Sequence, residues 1–387
     1  MEKKNQVPKY PPLRFPEFTD EWKKVKLGEV ADYVQKRGRC RLYLSTENML
    51  PDFQGIQECL LEQATSGILF QAGDVLVSNI RPYLRKAWLA NKAGCCSADV
   101  LVFRHKSLLD PMFFYYIMAN QKFIDYMMRA AKGVKMPRGD KGHVIQYPLR
   151  LPSISEQHKI AALFSLIDER IEVQNAIIKE REAQKAALLR RLFDRTLRFP
   201  EFTDEWKEYQ NSEVFEIISE KNTDLRDSNV VSASMNYGVV LRDEIGVDIK
   251  YEQESIRGYK VVRDGDYIVH LRSFQGGFAF SRLNGICSPA YTILRPRSNM
   301  LEYGFLESYF CSSRFITSLK RVTYGIRDGR SISVEEWMSE KTSLPTLAEQ
   351  KKIAALLSAI DERIAVEKEY AALLQKQKAY LLRQMFV

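Results

Sequence analysis

At 387 residues the chain has room for two or three domains, each able to bury its own core. Its 45% hydrophobic and 28% charged residues suit a soluble globular protein; no run approaches the roughly 20 apolar residues of a membrane span, and the opening MEKKNQVPKYPPL lacks a signal-peptide core. The net charge of +9, from 58 Lys and Arg against 49 Asp and Glu, points toward a polyanionic partner such as nucleic acid. Six cysteines fall into no metal-ligand spacing and no disulfide framework, which predicts reduced thiols and a cytoplasmic location.

In chain order, the first marked segment is Leu13 to Lys23, LRFPEFTDEWK, which returns letter for letter at Leu197 to Lys207. A variable region follows, with β-rich runs at Asp74 to Val77 and Val100 to Phe103 and a helical pattern over Pro111 to Ala131. Leu151 to Ile171 then reads LPSISEQHKIAALFSLIDERI, matched at 15 of 21 positions by Leu344 to Ile364. Each copy starts a helix. Pro152 or Pro345 keeps the preceding residue extended, and Ser153 to Glu156 and Thr346 to Glu349 fit a capping box.

From Ile160 the apolar positions step by four and three through Phe164, Ile167, Ile171, Gln174, Ile178, Arg181, Lys185, Leu188 and Leu192. The second copy keeps the register through Ile353, Leu357, Ile360, Ile364, Glu367, Ala371, Leu374, Lys378, Leu381 and Met385. These are coiled-coil seams, predicting rods of roughly 57 Å that pack against each other antiparallel, with Gln174, Lys185, Glu367 and Lys378 fixing register. Apolar residues on the outer faces, Leu163, Leu166, Ala187 and Leu356, leave surface for partner proteins. The second variable region has a strand at Asp266 to Val269 and a helical pattern over Tyr303 to Lys320. Gly73-Asp74 answers Gly265-Asp266, and Lys132 to Lys135 answers Tyr324 to Arg327, which predicts one fold with two different surfaces.

The FPEF-x-x-x-W openings, the GD strands at Gly73 to Val77 and Gly265 to Val269, and LP-x-x-x-EQ-x-KIA before each long helix occur twice and in order. The arrangement resembles the specificity (S) subunit of Type I restriction–modification systems over essentially the whole chain. The resemblance implies an α+β architecture with a pseudo-two-fold internal repeat: target-recognition domain 1 over 1–151, a spacer helix over 152–194, target-recognition domain 2 over 195–343 and a second spacer helix over 344–387. It further implies double-stranded DNA as ligand, docking of two methyltransferase (M) subunits, restriction (R) subunits recruited through them, and no membrane. A reader of this kind should bind a bipartite, asymmetric site whose gap shifts with helix length.

Candidate DNA contacts in the first domain are Arg37, Arg39 and Arg41, which alternate after a predicted strand, a spacing that would place them on one face. Asn79 and Arg81 have the chemistry of adenine and guanine readers, and Lys132, Lys135, Arg138 and Lys141 form a basic loop suited to phosphates or bases. In the second domain the matching positions are Arg272 and Gln275, with Tyr324, Arg327 and Arg330 in the loop. Trp22 and Trp206 read as core anchors, and His105, His143, His158 and His270 form no catalytic or metal constellation.

There is no G-x-G methyl-donor loop, no phosphate loop, and no complete methyltransferase motif; Asp110-Pro111-Met112-Phe113 lacks the second proline. Pro51-Asp52 has no following Glu-x-Lys of a nuclease core. The expectation is a non-catalytic subunit without cofactor or metal. Two alternatives differ in class or scope: a coiled-coil scaffold that binds other proteins, and a specificity subunit serving a methyltransferase alone. Salt-sensitive, sequence-selective DNA binding separates the first, and the partner genes separate the second.

Overall fold

The computed structural model describes residues 10–57, 60–234, 238–245, 253–270, 277–297, 299–324 and 331–386. The chain forms two compact units, Met1–Asn175 with Glu369–Val387, and Ala176–Lys368.

The strands of the first unit are β1 (Lys23–Lys26), β2 (Ala31–Val34), β3 (Arg37–Leu44), β4 (Leu60–Phe70), β5 (Val75–Ser78), β6 (Ala87–Leu89), β7 (Gly94–Cys96), β8 (Val100–His105) and β9 (Pro148–Leu151). They build an antiparallel sheet in the order β2-β8-β5-β6, a small closed sheet of β3, β4 and β7, and a β1-β9 pair. β5, β7 and most of β8 are buried, as unbroken apolar runs in a sheet interior require. The second unit repeats this order with Phe215–Ile218, Thr292–Pro296, Tyr267–Val269 and Phe278–Phe280, and its opening strand Lys207–Gln210 pairs with Lys341–Leu344.

The GD motif has the same job in both units. Gly73 and Gly265 turn at φ +89° and +92°, where a side chain would be strained. Asp74 and Asp266, each 1% exposed, take bidentate hydrogen bonds from Arg104 and Arg295 on the neighbouring strand, with N–O distances of 2.8 Å. Each guanidinium is held more firmly protonated by the hydrogen bond to its aspartate.

Two long helices run over Ile154–Phe193 and Leu347–Met385. Every seam position named from the sequence is buried or half-buried. Within the first unit Asp168 pairs with Lys378, at 2.5 Å, and Arg170 bonds Tyr370. Within the second, Lys185 pairs with Asp361 at 2.6 Å and Glu182 with Lys368 at 2.7 Å. In each unit, therefore, the two helices run in opposite directions.

Three expectations need correction. The pattern over Pro111 to Ala131 is two helices, Pro111–Met118 and Gln121–Arg129, because Asn120 caps the second by accepting from the Lys122 N–H at 3.0 Å. Tyr303 to Lys320 likewise breaks into Glu307–Phe310 and Ser313–Ser318, with Ser312 as the cap. Nor are all the thiols reduced: Cys40 on β3 and Cys95 on β7 form a disulfide with Cα atoms 6.0 Å apart. Their separation of 55 residues gave no sign of this; the closure of β3, β4 and β7 into one small sheet brings them near each other.

Candidate nucleic-acid interface

The repeated sequences meet each other at the start of each long helix. Ser153 and Thr346 accept from the N–H groups of Glu156 and Glu349, both at 3.4 Å, as a cap should. The glutamates do not complete the box. Glu156, 1% exposed, instead takes both guanidinium arms of Arg14 at 2.7 and 2.8 Å and the indole N–H of Trp22 at 3.3 Å. Glu349 takes Arg198 at 2.9 and 2.7 Å, while the Trp206 indole N–H is buried without a partner among the described residues. Around each pair Glu17 bonds Lys159 and Glu201 bonds Lys352, with the ammonium groups over the rings of Phe15 and Phe199. Gln157 and Gln350 complete the joint by accepting from the backbone N–H groups of Asp110 and Glu302, each at 2.9 Å. Both tryptophans lie in the cores, Trp22 at 2% and Trp206 at 7% exposure.

On β3, Arg37, Arg39 and Arg41 are all exposed and alternate with half-buried residues. Arg39 donates to the Ala64 carbonyl at 2.9 and 3.3 Å and Arg41 to that of Leu61 at 3.2 Å, so both lie across β4 with further N–H groups to offer.

A second group is assembled on the sheet beginning with β2. Lys132 and Arg138 exchange two backbone hydrogen bonds of 2.9 Å and close a loop between them. The stretch after β5 docks on that loop: the Arg81 N–H donates to the Pro137 carbonyl at 2.8 Å and the Gly139 N–H to that of Asn79 at 3.2 Å. Asn79, Arg81, Lys132, Lys135 and Arg138 thus come from two segments into one structure, with Lys141 just beyond on the short helix Lys141–Val144. Lys132, Lys135, Arg138 and Lys141 are exposed. Arg138 also holds Asp99 at 3.1 Å, and Lys132 pairs with Asp140 at 3.3 Å. The His143 backbone N–H and the Lys132 ammonium keep the Asp140 carboxyl below the ordinary carboxylate range.

Asn79 is placed differently from a base-reading residue. It is 4% exposed, its carboxamide oxygen has no partner among the described residues, and a Cβ on Gly139 would meet that oxygen at 2.9 Å. Its position supports the loop. Arg81 is half-buried in a left-handed turn at φ +49°, with its Nε enclosed. In the second unit Tyr324 is 54% exposed on a two-residue strand and donates to Glu336 at 2.6 Å, which raises the phenol pKa. Arg272, Gln275, Arg327 and Arg330 lie outside the described residues. Composition drew attention to the cations of the 132–138 loop and passed over its exposed Val134 and Met136.

Among the described residues no three His, Cys, Asp or Glu side chains are grouped as metal ligands, and no helix is long and apolar enough to cross a membrane. Duplicated sheets, and repeated opening segments each tied to a long helix by the same buried ion pair, define a polypeptide of two related modules. The family described as "Type I restriction modification DNA specificity domain" matches residues 19–183 and again 203–376, and the chain belongs to that family.

The specificity subunit of type I restriction enzyme MjaVIII from Methanocaldococcus jannaschii is 22% identical over 404 residues, spanning 96% of this chain and 92% of the relative. The EcoDI specificity subunit of Escherichia coli is 27% identical over 190 residues, 46% of this chain and 42% of the relative. Two solved structures share the fold. The Type I restriction–modification S subunit from M. genitalium aligns over 98% of this chain and 99% of its own, with TM-score 0.56 at 15% identity. A chain solved in work on complex assembly and conformational transition of the type I system covers 96% and 98%, with TM-score 0.58 at 19% identity.

Proposed function

We propose that this chain is the non-catalytic DNA-reading subunit of a type I restriction–modification complex, binding a bipartite, asymmetric site with one half-site per unit. The observation that carries this reading is one sheet order carrying different residues in its two copies: Arg37, Arg39, Arg41, Lys132, Lys135, Arg138 and Lys141 are exposed in one unit, and Tyr324 is exposed in the other, whose sequence places Arg272, Gln275, Arg327 and Arg330 as the matching candidates. Exposed lysines and arginines bind phosphates and set register, while base edges supply the selection. Arg81 and Asn79 hold the loop in place for that purpose.

The domains divide at 151, 194 and 343, and the helices between them act as an antiparallel coiled-coil spacer. Two M subunits dock on the outer helix faces and recruit R subunits, so methylation and ATP-dependent cleavage belong to the complex. The duplicated joint supports two equivalent docking geometries. The deciding experiment is co-expression with the neighbouring methyltransferase in a methylation-free host, followed by genome-wide mapping of modified bases. A split motif with unlike halves and a fixed gap is expected; a contiguous or palindromic motif, or a formed complex that selects no sequence, overturns the reading.

A further inference from the structure

The loop closed by Lys132 and Arg138 carries two apolar side chains among its cations. Val134 is 104% exposed and Met136 45%, and Lys132, Lys135 and Arg138 around them are exposed too. Single exposed apolar residues are commonplace on protein surfaces. This pair differs in its mounting. The neck is fixed by the two Lys132–Arg138 backbone hydrogen bonds, the stem by those from Arg81 and Gly139, and the Arg138 guanidinium is held by Asp99. Gly133, at φ +96°, makes the turn that leads into the tip. A braced loop with an apolar tip ringed by ammonium and guanidinium groups fits a ligand with apolar patches framed by anions. The major groove of duplex DNA offers that at thymine, whose C5 methyl lies between phosphate backbones.

We propose that Val134 and Met136 read thymine methyl groups in the half-site bound by the first unit, while Lys132, Lys135 and Arg138 hold the flanking phosphates. The inference rests on the DNA-reading function proposed above and adds the class of base. Val134, the more exposed of the two, is short and branched, whereas side chains that wedge between base pairs are typically longer or flatter.

The test uses the complex of the full chain with its methyltransferase and duplexes carrying the mapped half-site. Each thymine is replaced in turn by deoxyuridine, which removes the methyl alone. A contacted thymine should bind about fourfold more weakly after replacement, the ratio set by burying one methyl-sized group. The double variant Val134→Ser, Met136→Ser should lose that sensitivity while keeping the wild-type salt dependence, because its cations remain, and its melting temperature. Indifference of the wild type to every replacement, a half-site without A·T pairs, or base unstacking beside the loop with no methyl effect each overturn the inference and leave DNA reading intact. If the wild-type complex selects no sequence at all, the proposed function fails and this inference falls with it.

Discussion

Glu156 and Glu349 occupy the same place in the two repeats and bear unequal loads. Glu156 takes three donor groups, two from Arg14 and one from Trp22; Glu349 takes two, both from Arg198. Removing one partner of a buried ion pair leaves a desolvated charge, at a cost of about 3–5 kcal/mol. Glu156→Ala also leaves the Trp22 N–H unsatisfied, whereas the Trp206 N–H already lacks a partner among the described residues. Glu156→Ala is therefore expected to destabilise its unit by about 1 kcal/mol more than Glu349→Ala does. Unfolding of each variant in urea against the wild type, followed by far-ultraviolet circular dichroism, measures both; equal losses would refute the difference. The repeated letters were plain in the sequence, but their purpose was not. Ser-x-x-Glu reads as a capping box on spacing alone, and only tertiary structure brings Arg14 and Trp22 to the carboxylate in its place.

At the scale of elements, periodicity was a good guide where it was long and a poor one where it was short. The seams of the two long helices recur over many turns, and each seam residue is buried or half-buried. Pro111 to Ala131 has enough apolar residues for a helix, yet Asn120 both caps a new helix and donates to the Leu382 carbonyl at 3.4 Å, a partner no local pattern contains. The GD strands were legible because glycine at a positive φ and a buried aspartate leave a fixed spelling. Burial of Asn79 was not, since Asn-x-Arg after a strand looks the same whether it faces DNA or the protein. The helices also carry a prediction. Four residues inserted at matching points of both form a stutter that a helical seam absorbs by local unwinding. Each helix lengthens by about 6 Å, close to two base-pair steps of about 3.4 Å. The methylated motif should keep both half-sites and widen its gap by one or two base pairs. An unchanged gap would mean that the helices do not set it.

For the molecule as a whole, the two repeats leave apolar residues exposed at equivalent points. Val173 and Val366 correspond in the repeats and are 54% and 60% exposed, and Ile154 and Leu347 correspond and are 43% and 40% exposed. If M subunits dock there, Val173→Glu combined with Val366→Glu should abolish co-purification of the methyltransferase and leave the melting temperature of the chain within about 0.5 kcal/mol equivalent of wild type, as for other surface changes. Retention of both M subunits by the double variant would move the docking surface elsewhere.

The two units also differ in when they can be finished. The second unit is one continuous stretch, Ala176–Lys368, with Leu189 and Leu192 from the end of the first long helix in its core. The first unit's core needs Met385 and Phe386, the latter stacked on Phe113 with ring centroids 5.2 Å apart. Contacts so distant in sequence form late, because the loop between them must first be closed. On the ribosome, then, order of synthesis and order of completion are reversed: the unit begun first waits for the ring that packs on Phe113 and Phe164 until residue 386 emerges, by which time the second unit can already have closed.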